Sequence, residues 1–438
     1  MPLKQDPMYA SGVGVRLAVV RSSSGSDARE NMSSLLGRPV EDLAADLVRL
    51  GHQVTLLDVR RPVAPGTRAE GPSFEAHDRI ARDRLVAGEP HAVRVVRCSS
   101  GRDLAATLDA ADVDVALAVD RGSAEQLERA SPDLALSWVW APMPDDLRSS
   151  SGQASRWVPR HASRFVLGSR PDIDLLERAG VGREKCDVVS WQLSMPARAL
   201  RLVVDVAERA TEVLTSSGGG SAGVADVIRA VAVLPEMRLT VAVDEASLAD
   251  RHTISRWVRL ASGLRAADRV RFVQVRSGAA VRALVRSADL VVSVPHGRPE
   301  LSLIAAAMWA GTPVVVSDVD GVRELVDSGT GGLVLPSGPP RRLARVLRVV
   351  GQDVPARSTW AAAAQRKAQE GLDSERAAVE MSIALQAACS TARSVGTVSL
   401  AGGQLHGVGA VLATDPRPSR PAAQRGASLM PRLGRTLL

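Results

Sequence analysis

The sequence predicts an α/β protein of two parallel-sheet domains, and three observations carry that reading. With 438 residues the chain is long enough for two domains, each with its own core. Short, continuous apolar runs alternate with amphipathic helical runs from residue 15 to about 392. The stretch from Ser287 to Pro336 reads strand DLVVSV, turn PHGRPE, helix LSLIAAAMWA, a Gly-Thr-Pro break, strand PVVVSDV, helix GVRELVDS and a closing GGLVLP. Apolar strands joined through helices imply buried parallel strands with right-handed crossovers. In such sheets ligands sit beyond the carboxyl ends of the strands, so the loops at Pro295–Glu300 and Ser317–Gly321 face any site.

The first domain, residues 1–196, opens with strand VRLAVV at 15–20, a Ser/Gly/Asp-rich loop, helix PVEDLAADLVRLGH and strand QVTLLDV. Residues 61–92 form a Pro/Gly/charge-rich insert, after which AVRVVR is a strand and SGRDLAATLDA a helix. VDVALAV is a further buried strand ending near Asp120, which suits a helix cap, with catalysis as the sharper alternative. LALSWVWAP places Trp138 and Trp140 on one face of a strand, for core packing or for stacking on a sugar. SRFVLGSRPDIDLLERAGVGREKCDVVSWQ adds strand, serine turn, helix and strand, and the hinge is expected at 193–200.

The second domain, residues 197–373, is expected to begin with strand RLVVDVAE and the low-complexity loop TSSGGGSAG. Helix VADVIRAVAVL, strand MRLTVAV, helix ISRWVRLASGL, strand RVRFVQV and helix AAVRALVRSA then lead into the Ser287–Pro336 stretch. RLARVLRVV and later helices close the domain, and SERAAVEMSIALQAA supplies a helix over 374–393. Residues 394–438 read as a disordered Pro- and Arg-rich tail.

Composition narrows the function. The chain is 45% hydrophobic, 24% charged and only 3% aromatic, a globular balance poor in base-stacking residues. Its net charge of +7 is uneven: Asp415–Leu438 carries five arginines against one acid, leaving +3 for the body. No nucleic-acid motif accompanies the tail, so nucleic acid is not an expected partner. Leucines, Met430 and arginines alternate in the tail in a way that would also suit peripheral contact with anionic lipid. Cys98, Cys186 and Cys389 are scattered, form no metal-ligand spacing, and suggest a reducing compartment. No apolar run approaches membrane-spanning length and MPLKQDPMYASG lacks a signal-peptide core, so the expected location is cytoplasmic, with no metal or cofactor.

Three motifs in order, A-M-x-A-G-T-P-V-V, S-D-V-x-G-x-x-E-L-V and G-x-L-V-x-P, resemble the donor-binding domain of GT-B glycosyltransferases of the retaining family 4. The resemblance covers residues 15–392 and implies two Rossmann-like domains facing across a cleft, with the C-terminal helix crossing back to the first domain. It implies a nucleotide-sugar donor of UDP or GDP type, whose departing diphosphate is held by cations and backbone amides, each worth on the order of a hundredfold in rate.

Several positions depart from that pattern. The family's Arg and Lys after the second domain's first strand fall on Ser217 and Ala222, and its two glutamates, eight positions apart, fall on Arg298 and Ala306. Pro299, Glu300 and Leu301 stand where glycine amides would meet the diphosphate, and Ser34 and Leu35 replace the first domain's Gly-Gly pair. MRLTVAV ends in Asp244 and Glu245 instead of glycines, and Ser190, Trp191 and Gln192 replace a Pro-Gly turn. Scaffold positions such as Gly311, Thr312, Pro313, Gly321, Glu324 and Gly332 keep the pattern.

The remaining candidates are His296 and Glu300 for chemistry, and Arg298, Gly218, Gly219, Gly220 and Glu324 for the nucleotide. For His296 and Arg298 the plainer alternative is hydrogen bonding within their own loop; for the glycines, an exposed turn; for Glu324, a cap or packing contact. The reading is a glycosyltransferase-like protein that has lost ordinary transfer and serves as a ligand binder or as the partner of an active glycosyltransferase. The alternative is a divergent active enzyme glycosylating a small molecule, lipid or polysaccharide.

Overall fold

Two seven- and six-stranded parallel sheets form the computed structural model. It describes residues 14–23, 36–37, 39–60, 93–98, 101–131, 134, 136–143, 146–147, 157–195, 210–219, 221–248, 250–296, 300–319, 321–326, 331–336 and 338–400. The expectations for the 61–92 insert, the Ser34–Leu35 turn and the tail beyond Leu400 lie outside these residues.

The first sheet is built from β1 (Arg16–Ser23), β2 (Gln53–Arg60), β3 (Arg94–Cys98), β4 (Val115–Ala118), β5 (Ser137–Trp140), β6 (Arg164–Leu167) and β7 (Cys186–Val188). Helices α1 (Val40–Arg49), α2 (Gly101–Ala110), α3 (Arg121–Ala130) and α4 (Arg170–Arg178) connect them. The strand order β3-β2-β1-β4-β5-β6-β7, parallel throughout, is the doubly wound arrangement, with its switch point between β1 and β4. Strands such as β4 are buried on both faces, as their unbroken apolar sequence requires.

The second sheet repeats the plan with β8 (Thr211–Ser216), β9 (Met237–Val243), β10 (Val270–Gln274), β11 (Leu290–Ser293), β12 (Val314–Ser317) and β13 (Gly332–Leu335) in the order β10-β9-β8-β11-β12-β13. Its helices are α5 (Ser221–Ala232), the short α6 (Glu245–Leu248), α7 (Arg251–Gly263), α8 (Gly278–Ser287), α9 (Leu301–Ala310), the short α10 (Val322–Leu325), α11 (Pro340–Gln352) and α12 (Val354–Gly371). Helix α9 is apolar nearly all round, and only Leu301 among its residues escapes full burial. It ends where Gly311 takes a left-handed φ of 68° and Thr312 N–H returns to the carbonyl of Ala307.

Two expectations for this half are corrected. The sheet's first described strand is TEVLTS, whose last two residues were expected in the loop TSSGGGSAG; RLVVDVAE lies wholly outside the described residues. The Ser- and Thr-rich run becomes a central strand because β9 and β11 satisfy its backbone on both sides, which local polarity does not report. Helix α10 is a single turn, shorter than the expected GVRELVDS, because Val326 is already extended.

Helix α13 (Ser374–Leu400) crosses back and buries Ala377, Met381, Leu385 and Ala388 in the first domain's core. It runs past residue 393, where the tail was expected to begin. The two chain crossings are tied together: Met195 N–H donates to the carbonyl of Leu372, and Ser374 N–H donates to that of Met195. Among the described residues no helix is long and apolar enough to cross a membrane.

Buried His52 locks this crossing. Its Nδ1 accepts the Val15 N–H at 3.3 Å and its Nε2 lies 2.7 Å from Ser382 Oγ on α13, an arrangement met by the neutral imidazole with its proton on Nε2. Burial holds the imidazole below its ordinary 6.5. The unfolded chain therefore binds more protons, and the stability is full above 6.5 and declines as pH falls toward the lowered folded value. Thermal melts between pH 7 and 5 should show a falling midpoint in the wild type and a flatter profile in His52→Leu.

Candidate functional site

The second sheet's switch point lies between β8 and β11, where the chain leaves to opposite faces of the sheet. On one side β8 passes through a 3-10 turn, Ser217–Gly219, into α5. Gly223 on α5 approaches the end of β11 so closely that a Cβ would sit 2.7 Å from the Val294 carbonyl oxygen. That contact places Asp226, one turn later, against the loop that follows β11.

There His296 Nε2 lies 2.7 Å from Asp226 Oδ2, while Arg229 reaches Asp226 Oδ1 at 2.9 Å. The imidazole is exposed but already engaged, and Asp226 is well covered. His296 therefore sits at the switch point, as its sequence position implies, with a carboxylate partner that sequence reading missed. Asp226 is 70 residues from His296 and looks like an ordinary helical acid.

The other expected site residues are held by the protein itself. Ser217, which is buried, exchanges hydrogen bonds with Asp244: its hydroxyl accepts the Asp244 N–H at 3.2 Å and faces Oδ1 at 3.3 Å. Asp244 also accepts the Ser247 N–H at 2.8 Å and so caps α6. Glu300 is buried at the start of α9, yet its carboxylate accepts from Ser302 Oγ at 2.6 Å and makes no cap bond to the helix amides. The start of α9 thus has no side-chain cap from Glu300. Ala306 is buried inside the core of α9. Gly218 and Gly219 form the 3-10 turn; Gly220 and Arg298 lie outside the described residues.

Glu324 has a partner across the two halves of the chain. Both of its carboxylate oxygens accept the Arg170 N–H, each at 3.1 Å, at the start of α4 in the first domain. A carboxylate at a helix N-terminus is favourable there. Its neighbour Gly321 takes a φ of +85° and its Cα faces Leu301, whose Cδ1 would lie 3.3 Å from an added Cβ. Gly168, Ser169, Leu301, Gly321, Glu324 and Lys367 help line a cleft of about 100 Å³ between the two halves.

In the first domain Asp120 is a cap, as the simpler reading had it. Its carboxylate accepts the Ser123 N–H at 2.8 Å while Ser123 Oγ accepts the Asp120 N–H, a reciprocal capping box, and it also holds Ser22 of β1. Trp138 and Trp140 are fully buried in the core, with Trp140 edge-on to Trp157 and Phe165 at 5.6 and 6.1 Å. Stacking on a sugar is therefore not their role. Trp191 fills the core, and Gln192 donates to the Pro142 carbonyl at 2.8 Å.

Comparison with known proteins now bears on this geometry. Solved structures superpose over nearly the whole chain: HepE from Anabaena in complex with UDP at a TM-score of 0.64, 16% identity, covering 85% of this chain and 100% of that one. Sucrose-phosphate synthase from Thermosynechococcus elongatus gives 0.65 at 17% identity, covering 87% and 100%. The fold is GT-B. The family model "Glycosyl transferases group 1" matches residues 221–353, so the second half is glycosyltransferase-like in sequence as well. D-inositol 3-phosphate glycosyltransferases from Salinispora tropica and Corynebacterium diphtheriae are 36% and 31% identical over 113 and 128 residues, 26% of this chain in each case. The chain spans 23% and 30% of the length of these two relatives.

Two substitutions test this geometry. Gly223→Ala should force α5 off the Val294 carbonyl at a cost of about 1–3 kcal/mol in urea unfolding, and should loosen the Asp226–His296 contact. Trp140→Ala should cost about 3–5 kcal/mol by the same measurement, and the wild-type tryptophan fluorescence should not respond to free sugars.

Proposed function

We propose that this GT-B protein descends from family 4 glycosyltransferases, no longer performs ordinary nucleotide-sugar transfer, and acts as a ligand binder or as the partner of an active glycosyltransferase. The observation that carries the reading is the self-satisfaction of the donor side. Ser217 is engaged by Asp244, Glu300 by Ser302 and Glu324 by the Arg170 amide, while Ala306 offers no acceptor. Transfer needs cations and amides aimed at a departing diphosphate. Here the Arg- and Lys-equivalent positions hold serine and alanine, and Glu300 adds negative charge nearby. Losing both cations would remove several kcal/mol of transition-state stabilisation.

A divergent active enzyme is the second reading, with His296, Glu300 and Arg298 in the lost roles. What favours it is that solved proteins of this fold were captured with UDP and with UDP-glucose, and that His296 stands exposed at the switch point.

Calorimetric titration with UDP, GDP, UDP-glucose and GDP-mannose at low salt decides between them. The first reading expects no binding tighter than about 1 mM. Micromolar binding that is lost in Glu300→Ala or Arg298→Ala would overturn it and call for an acceptor screen.

A further inference from the structure

A second recess opens on the α5/α11 side of the second sheet, beyond the carboxyl ends of β11, β12 and β13. It measures about 220 Å³, and Asp226, Pro295, His296, Ser317, Pro340 and Arg342 contribute to its walls. This is below the roughly 300 Å³ of sites for drug-sized ligands, so its occupant is small. It lies on the face of the sheet opposite α9, whose first turn is where the diphosphate of a sugar donor would be expected.

Three observations give the recess its chemistry. The Arg342 guanidinium, half-buried on the first turn of α11, has no carboxylate or other hydrogen-bond partner among the described residues, and its stem lies over Gly338, 3.3 Å from that residue's ideal Cβ. Arg323 and Arg229, by contrast, are paired to Asp318 and Asp226. Ser317, only 6% exposed at the end of β12, has a hydroxyl with no hydrogen-bond partner among the described residues, and it faces the recess. A hydroxyl that keeps solvent access inside a recess is free to donate to a ligand there. The carboxylate in the described wall, Asp226, is engaged on both oxygens, by His296 and by Arg229.

We infer that this recess binds a small phosphate-bearing anion, a phosphate monoester or free phosphate, gripped by the Arg342 fork and the Ser317 hydroxyl with His296 at its edge. Phosphate suits a planar guanidinium that can donate two parallel hydrogen bonds, and the oxygens left over suit a hydroxyl donor. Pro339 and Pro340 leave the start of α11 poor in free N–H groups, so side chains carry the recognition. The aliphatic and proline walls leave room for a compact apolar or ring moiety beyond the phosphate. The inference does not depend on whether the protein transfers sugar.

The test is a ³¹P NMR line-width titration of inorganic phosphate, and then of glycerol 3-phosphate, with the full chain. Saturable binding is expected, weakened about tenfold or more in Arg342→Ala and only partly rescued by Arg342→Lys, which keeps the charge and loses the fork. Ser317→Ala should weaken it several-fold while leaving the melting temperature near that of the wild type. Arg345→Ala, an exposed arginine one turn along the same helix, should leave binding unchanged. Absence of saturable binding overturns the assignment. Equal weakening by Arg345→Ala also overturns it, since a diffuse basic surface would then explain the data. Tighter binding of glycerol 3-phosphate than of phosphate identifies a monoester as the ligand; equal affinity identifies phosphate itself. UDP titrations of Arg342→Ala separate this result from the donor-site reading, because Arg342 and Ser317 take no part in that reading even though His296 borders both places.

Discussion

The approach of α5 to the end of β11 is the contact on which the second half of the molecule depends. Gly223 sits so near the Val294 carbonyl that any side chain would collide with backbone, which cannot swing aside. With that distance fixed, α5 packs between α7 and α11 on one face of the sheet and its core side chains Val224, Val227 and Ile228 reach the strands. The same distance sets Asp226 beside His296 and so defines the rim shared by the switch point and the recess behind it. A packing requirement thus fixes the position of the polar groups.

Around that contact the polar chemistry follows one pattern. Groups that would face a bound nucleotide in the sequence comparison are engaged with protein: serine with aspartate, glutamate with serine, glutamate with a helix amide. Buried polar groups must find partners, and with Ser217 and Ala222 in place of cations, local pairs of this kind are the stable outcome. Glu324 goes further, spending its carboxylate on the first half of the chain and tying α4 to α10 across the cleft. The crossing at Met195 and Ser374, together with His52 and Ser382, binds the same two halves from the other end. Arg342 and Ser317, whose side chains have no hydrogen-bond partner among the described residues, lie outside that pattern.

Most of the fold was legible in the sequence, because buried parallel strands and amphipathic helices leave period and length signatures. VALA, VVVS and LVVS are strands in the structure because uninterrupted apolar residues can be covered on both faces only inside such a sheet. Asp120 was legible as a cap from its place between a strand and a polar helix.

Pairing across the chain was not legible. TEVLTS carries no strand signal of its own and becomes one through neighbours on both sides. His296 with Asp226, Glu324 with Arg170 and His52 with Ser382 join residues 70, 154 and 330 positions apart, and no local pattern encodes such distances. The sequence alone determined the architecture, because apolar continuity and periodicity act locally. Only the tertiary structure decided which polar groups are satisfied, because hydrogen-bond partnership is settled by three-dimensional proximity.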